Sequence, residues 1–95
     1  MAVEVRIPTI LRPFTAGQKA VEGSGTTLLE VLDDVESRNP GLKNRLVEGD
    51  ADQSEKLRRF VNVYVNDEDV RFASGLTTTV ADGDVVVVLP AVAGG

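Results

Sequence analysis

Apolar and polar residues alternate from the start of the chain: Val3, Val5 and Ile7 interleave with Glu4 and Arg6. A period of two predicts a strand with one buried face. Pro8, Pro13 and Gly17 make residues 8–17 a loop or long hairpin connection. Gln18 to Glu22 read as a short second strand, which Gly23-Ser24-Gly25 ends. The period then changes. Leu28, Val31, Leu32 and Val35 stand at i, i+3, i+4 and i+7, with Asp33, Asp34, Glu36 and Arg38 on the other faces. That spacing predicts an amphipathic helix. Thr27 followed by Glu30 fits a capping box at its start, and Asn39-Pro40-Gly41 stops it. Leu42 to Val47 form a short helical turn, and residues 48–56 are polar enough to be an exposed loop.

Alternation returns at Phe60 to Val65, with Val61, Val63 and Val65 on one face and Phe60, Asn62 and Tyr64 on the other. Asn66-Asp67-Glu68-Asp69 turns the chain, Val70-Arg71-Phe72 is a short fourth strand, and Leu76 to Val80 are irregular. Asp82-Gly83-Asp84 is a turn signal before a last strand that begins with Val85 to Val88. Strands before and after one main helix imply an α+β fold, a mixed sheet of four to five strands with the helix packed across it. Pro90 has no N–H and a fixed φ, so sheet pairing is expected to stop there. Residues 1–90 thus form the domain, and Ala91-Val92-Ala93-Gly94-Gly95 are expected to be a flexible tail.

Composition narrows the function. Ninety-five residues make one domain with a modest core. Aromatics are only 4%, so that core is mainly Val, Leu and Ile. The net charge is −5, and the positive charges are dispersed. Nucleic-acid and anionic-membrane binding both need clustered Lys and Arg, so neither partner is expected. The start of the chain lacks the features of a signal peptide, and no apolar run nears a membrane span, which points to the cytoplasm. There is no cysteine and no histidine. Disulfides, thiolate nucleophiles, the commonest general base and the commonest metal ligand are therefore all missing. A self-sufficient enzyme is the least favoured class, and no metal or cofactor is expected to be held by this chain.

Local patterns yield little chemistry. Gly23-Ser24-Gly25 precedes a helix, but a dinucleotide loop would need glycine where Leu28 stands. Asp50-Ala51-Asp52-Gln53-Ser54 opens like a calcium loop and then fails at Glu55 and Val61. Asp33-Asp34, Glu68-Asp69 and Asp82/Asp84 fall on a helix's polar side or in turns and read as solvated surface. Phe14, Leu57 and Phe60 either complete the core or form a docking patch, with Phe60 favoured for the core. Arg58 and Arg59 are the candidates for meeting an acidic partner, although a plain surface role is the favoured reading.

The C-terminus is different. Beyond Pro90 come Ala91, Val92, Ala93, Gly94 and Gly95, without charge or bulk. Five residues span roughly 17 Å when extended. Such a tail can enter a narrow cleft on a partner and place the Gly95 carboxylate deep inside it, helped by the backbone freedom of glycine. On a Gly-Gly ending alone, a frayed terminus is the favoured reading.

The run from Val61 to Phe72, with Gly75-Leu76, Ala81-Asp82-Gly83-Asp84 and Leu89 to Gly95, resembles the sulfur carrier proteins of the ThiS/MoaD type. Within them it is most similar to the CysO branch, as are Ile7 to Pro13 and Gly17-Gln18-Lys19. The resemblance covers nearly the whole chain, and the ending is its most specific part. It implies a ubiquitin-like β-grasp fold and a cycle at Gly95. An E1-like enzyme would adenylate the terminal carboxylate with ATP and Mg²⁺, and a sulfur donor would displace AMP to leave a thiocarboxylate. A cysteine synthase would pass that sulfur to an aminoacrylate held on pyridoxal phosphate (PLP). After an S-to-N acyl shift, a zinc metallopeptidase would release cysteine and restore Gly-Gly. ATP-Mg, PLP and zinc would belong to those partners, with Pro90 to Gly94 threading Gly95 into their active sites. Carriers for molybdopterin, thiazole or thiosugar synthesis, and a plain ubiquitin-like interaction module or modifier, remain the alternatives.

Overall fold

The computed structural model describes residues 2–49, 56–58 and 61–90. In chain order these form β1 (Val3–Arg6), a 3-10 segment (Thr9–Thr15), β2 (Ala20–Gly23), α1 (Leu28–Arg38) and α2 (Leu42–Leu46). Then follow β3 (Val47–Glu48), β4 (Lys56–Leu57), β5 (Val61–Val65), β6 (Glu68–Asp69), two 3-10 turns (Val70–Phe72 and Gly75–Thr77) and β7 (Val85–Pro90). The main sheet has the order β2-β1-β7-β5-β6, and β3 and β4 make a separate two-stranded ribbon. β1 and β7 pair in parallel at the centre, and the other pairs are antiparallel. This is the expected mixed sheet with one main helix, in the arrangement of the ubiquitin-like β-grasp.

The alternation read from the sequence sets the two faces of the sheet. Val3, Val5 and Ile7, Val61, Val63 and Val65, and Val86 and Val88 are buried, and they share one core with Leu28, Val31, Leu32 and Val35 of α1. Thr27 caps the helix by accepting a hydrogen bond from the Glu30 N–H at 3.2 Å. The reciprocal arm of the box is displaced by one residue: the Glu30 carboxylate accepts from the Thr26 N–H at 2.7 Å and the Thr26 hydroxyl at 2.8 Å. Gly23 is the last residue of β2 and stands opposite Val3, and the strand ends there as expected. A Cβ there would stand 2.8 Å from Val31 Cγ1, so its glycine is required by how closely the helix approaches.

The expected strand at Val70-Arg71-Phe72 is a 3-10 turn. Asn66 and Asp67 both take positive φ, 50° and 71°, which makes a tight two-residue hairpin and moves the strand forward to Glu68–Asp69. The Asp69 carboxylate then accepts the Arg71 N–H at 2.9 Å and coils the chain. Val70 is buried by this turn, whereas Phe72 is 88% exposed. Within the stretch read as a polar loop, Glu48 pairs with Lys56 across the β3–β4 ribbon, and residues 50–55 lie outside the described part.

Candidate functional site

Pro90 is the last residue of β7 and the root of the C-terminal tail. The tail itself, Ala91 to Gly95, lies outside the described residues, as do Arg59 and Phe60. The described structure therefore speaks to the platform from which the tail departs. Because β1 runs parallel to β7 and β5 runs antiparallel to it, three segments meet at this end of the sheet. They are the exit of β1 toward Ile10, the start of β5 at Val61, and Pro90.

Pairing does not stop short of Pro90: it stands in register opposite Val61. The Asn66 N–H donates to the Val85 carbonyl at 2.9 Å. Antiparallel ladders alternate between bonded and non-bonded pairs, so Asn62 and Leu89 exchange hydrogen bonds and Val61 and Pro90 do not. The absent proline N–H therefore removes nothing from β5. On its other side β1 has already ended, since its last pair is Arg6 with Val87. A proline fits there because no ladder donor is needed.

The sheet face turned away from α1 ends at the same place. Val85, Val87 and Leu89 point outward from β7, and Tyr64 and Asn62 stand opposite Val87 and Leu89 on β5. Val85, Val87 and Tyr64 are half-buried, and Leu89 is 46% exposed. Glu4 and Arg6 border this strip on β1, joined by an ion pair at 2.7 Å. Ile10 is 66% exposed, and it completes with Phe72 and Leu89 the described large apolar residues that face solvent. The sequence conceals this strip, because in Val85 to Leu89 both faces of the strand are apolar and no alternation marks the outer one.

The residues singled out for docking are only partly brought together. Phe14 is half-buried, rests against the core, and carries the Arg45 guanidinium 5.2 Å from its ring centre. Leu57 is half-buried against the same core. Arg58 is exposed, with its Nε donating to the Asn44 carbonyl at 2.7 Å. Arg45, Arg58 and Phe14 line one shallow open depression together with Gly41 and Asn44.

The paired acids do not act as pairs. Asp33 holds Lys43, whereas Asp34 accepts the Ser24 N–H at 2.9 Å and binds Arg38 at 3.0 Å. Asp82 accepts from the Ala2 N–H and Asp84 from the Ala81 N–H. The Thr26 N–H lowers the pKa of Glu30, the Ser24 N–H that of Asp34, and the Asn66 side chain that of Asp84. Each serves a cap or turn, and Asp84 sits at the end of β7 opposite Pro90. Among the described residues no three acidic, cysteine or histidine side chains are grouped to hold a metal, and no helix is long and apolar enough to cross a membrane.

The sequence pattern of the ThiS family matches residues 5–95. The chain is 59% identical to the sulfur carrier protein CysO of Mycobacterium tuberculosis over 95 residues, the whole of both chains. It is 34% identical to the small archaeal modifier protein 3 of Haloferax volcanii over 98 aligned positions, again the whole of both. Among solved structures, the complex of BexX with CysO from Amycolatopsis orientalis contains a chain with 61% identity and a TM-score of 0.89, covering 99% of this chain and all of that one.

Proposed function

The chain belongs to the ThiS family, and we propose that it is a sulfur carrier for cysteine synthesis that works through its terminal glycine. It is a small ubiquitin-like carrier, not a catalyst. One observation carries the reading: the likeness to the sulfur carrier protein CysO extends over all of both chains and so includes Gly94 and Gly95.

The chemistry is simple on the carrier's side. A carboxylate is a poor electrophile, and an E1-like enzyme converts that of Gly95 to an acyl adenylate, with pyrophosphate leaving. A sulfide equivalent from a donor attacks the acyl carbon, AMP departs with the C–O bond, and a thiocarboxylate remains. Its sulfur adds to an aminoacrylate on a PLP-dependent cysteine synthase, the acyl group shifts from sulfur to nitrogen, and a zinc metallopeptidase hydrolyses the resulting amide. ATP-Mg, PLP and zinc are the partners' cofactors. Tethering raises the effective concentration of sulfur at each step, and none of the steps asks this chain for a base, a nucleophile or a metal. The outward strip of Val85, Val87 and Leu89 gives the activating enzyme an apolar surface that leads to Pro90, and Phe14 and Arg58 share a separate depression with Arg45.

Intact-mass measurement after incubation with the cognate E1-like enzyme, ATP and a sulfide source tests this. The expected product has one oxygen replaced by sulfur, and deletion of Gly95 abolishes it. No exchange in the wild type, or exchange without Gly95, overturns the reading. The 34% identity to an archaeal modifier supports a second reading, attachment to lysines of other proteins. That would appear as a ladder of isopeptide-linked products on blots of cell extract.

A further inference from the structure

We propose that Arg71 is a positioning residue for the root of the tail: its guanidinium locks the strand segment of β5 that pairs with Leu89 and Pro90. This rests on the carrier reading above.

Arg71 Nη2 donates to the Val61 carbonyl at 2.6 Å and to the Arg58 carbonyl at 2.8 Å, and Nη1 reaches Asn62 Oδ1 at 3.3 Å. The Arg58 carbonyl also accepts the Val61 N–H at 3.1 Å, closing a turn just before β5. Arg58 is itself anchored, because its N–H donates to the Leu46 carbonyl at 2.8 Å. One side chain thus joins the turn at 70–72, the end of α2 and the first residues of β5.

The location gives this cluster its consequence. β6 pairs with Tyr64 and Val65, so among the described residues no strand lies beside the edge of β5 at Val61. Val61 turns its N–H and carbonyl toward that bare edge, away from Pro90. Arg71 takes the place of the missing strand. On the β7 side, Val61 and Pro90 are a non-bonded pair, so the last ladder bonds at the root in the described structure are those of Asn62 and Leu89. Arg71 fixes Asn62 through its side chain and through the carbonyl of the residue before it, and Asn62 holds Leu89. Acyl activation needs the carboxylate within contact distance of the nucleotide phosphate, and a loosened root adds conformers that must be excluded before that contact is made.

The test compares wild type, R71K and R71M, using the full chain. Amide hydrogen exchange followed by NMR needs no partner. In R71M the amides of Asn62 and Leu89 should exchange about tenfold faster or more, while those of Val5 and Val86 keep their protection. R71K, which keeps one charged donor without the fork, should fall between. Steady-state activation by the cognate E1-like enzyme with ATP, read as pyrophosphate release, should lose about tenfold in kcat for R71M with KM within about twofold, and R71K should recover part of the loss. A residue that merely stabilised the fold would loosen all amides together and leave kcat unchanged at temperatures where the variant is folded. Unchanged exchange at Leu89, a rise confined to KM, or an unaltered kcat would each overturn the proposal. If wild type itself releases no pyrophosphate, the carrier reading fails, and the exchange data still decide whether Arg71 holds the root.

Discussion

Gly23 and Glu30 show how individual residues serve the packing of α1 on the sheet. Gly23→Ala would place a methyl group 2.8 Å from Val31 Cγ1 and 2.9 Å from Val35 Cγ2, and the helix would have to shift. The expected cost is about 1–3 kcal/mol by urea denaturation, the range for overpacking a core. Thr27→Ala should cost about 1 kcal/mol through the lost cap. The sign of the pH dependence follows from the lowered carboxyls. Glu30, Asp34 and Asp84 lose a proton more readily in the folded chain than their ordinary values of 4.5, 3.8 and 3.8. The unfolded chain therefore binds more protons as pH falls, so their contribution is complete above those ordinary values and is lost as pH drops through the folded ones. The urea midpoint should stay level from neutral pH to about 5 and fall below about 4.5, and Glu30→Gln should flatten part of that slope.

At the level of elements, β7 has two working faces. Val86 and Val88 point into the core, whereas Val85, Val87 and Leu89 point out and lead to the tail. Leu89→Asp should leave the thermal midpoint within a few degrees, because Leu89 is already 46% exposed. The same change should raise KM for the activating enzyme by about tenfold or more, the effect of removing one apolar anchor from an interface. By contrast, Leu28→Ala, at a fully buried helix position, should cost about 2–5 kcal/mol and report on folding alone. Among the elements, α1 and β5 were readable because each shows one clean period. The turn at 70–72 was not, because Val70, Arg71 and Phe72 have the composition of a strand. What coils them is the tight hairpin at Asn66-Asp67 together with the Asp69 side chain.

For the whole molecule, the proposed function makes the domain the platform and the terminus the reagent. Deleting Gly94 and Gly95 should abolish sulfur loading while leaving the thermal midpoint unchanged, since the described core is built entirely from residues 3–88. A circular dichroism melt beside the mass measurement checks both halves of that expectation. The proposed division also accounts for a carrier of 95 residues without histidine or cysteine, since it leaves the activation and receipt of sulfur to other proteins.

Sequence alone determined the buried face of each long strand, the helix and its cap, the poverty of catalytic groups and the chemical distinctness of the Gly-Gly ending. These are local properties, written in periods of two and 3.6 and in residue types. Tertiary structure decided which strands became neighbours, that the first and last strands lie in parallel at the centre, and that Phe72 faces solvent. It also decided that Arg71, some twenty residues before the tail in the chain, stands across β5 from the tail's root. Those outcomes depend on pairings between distant segments, where the energy comes from burying faces against each other, and no window of neighbouring residues contains that information.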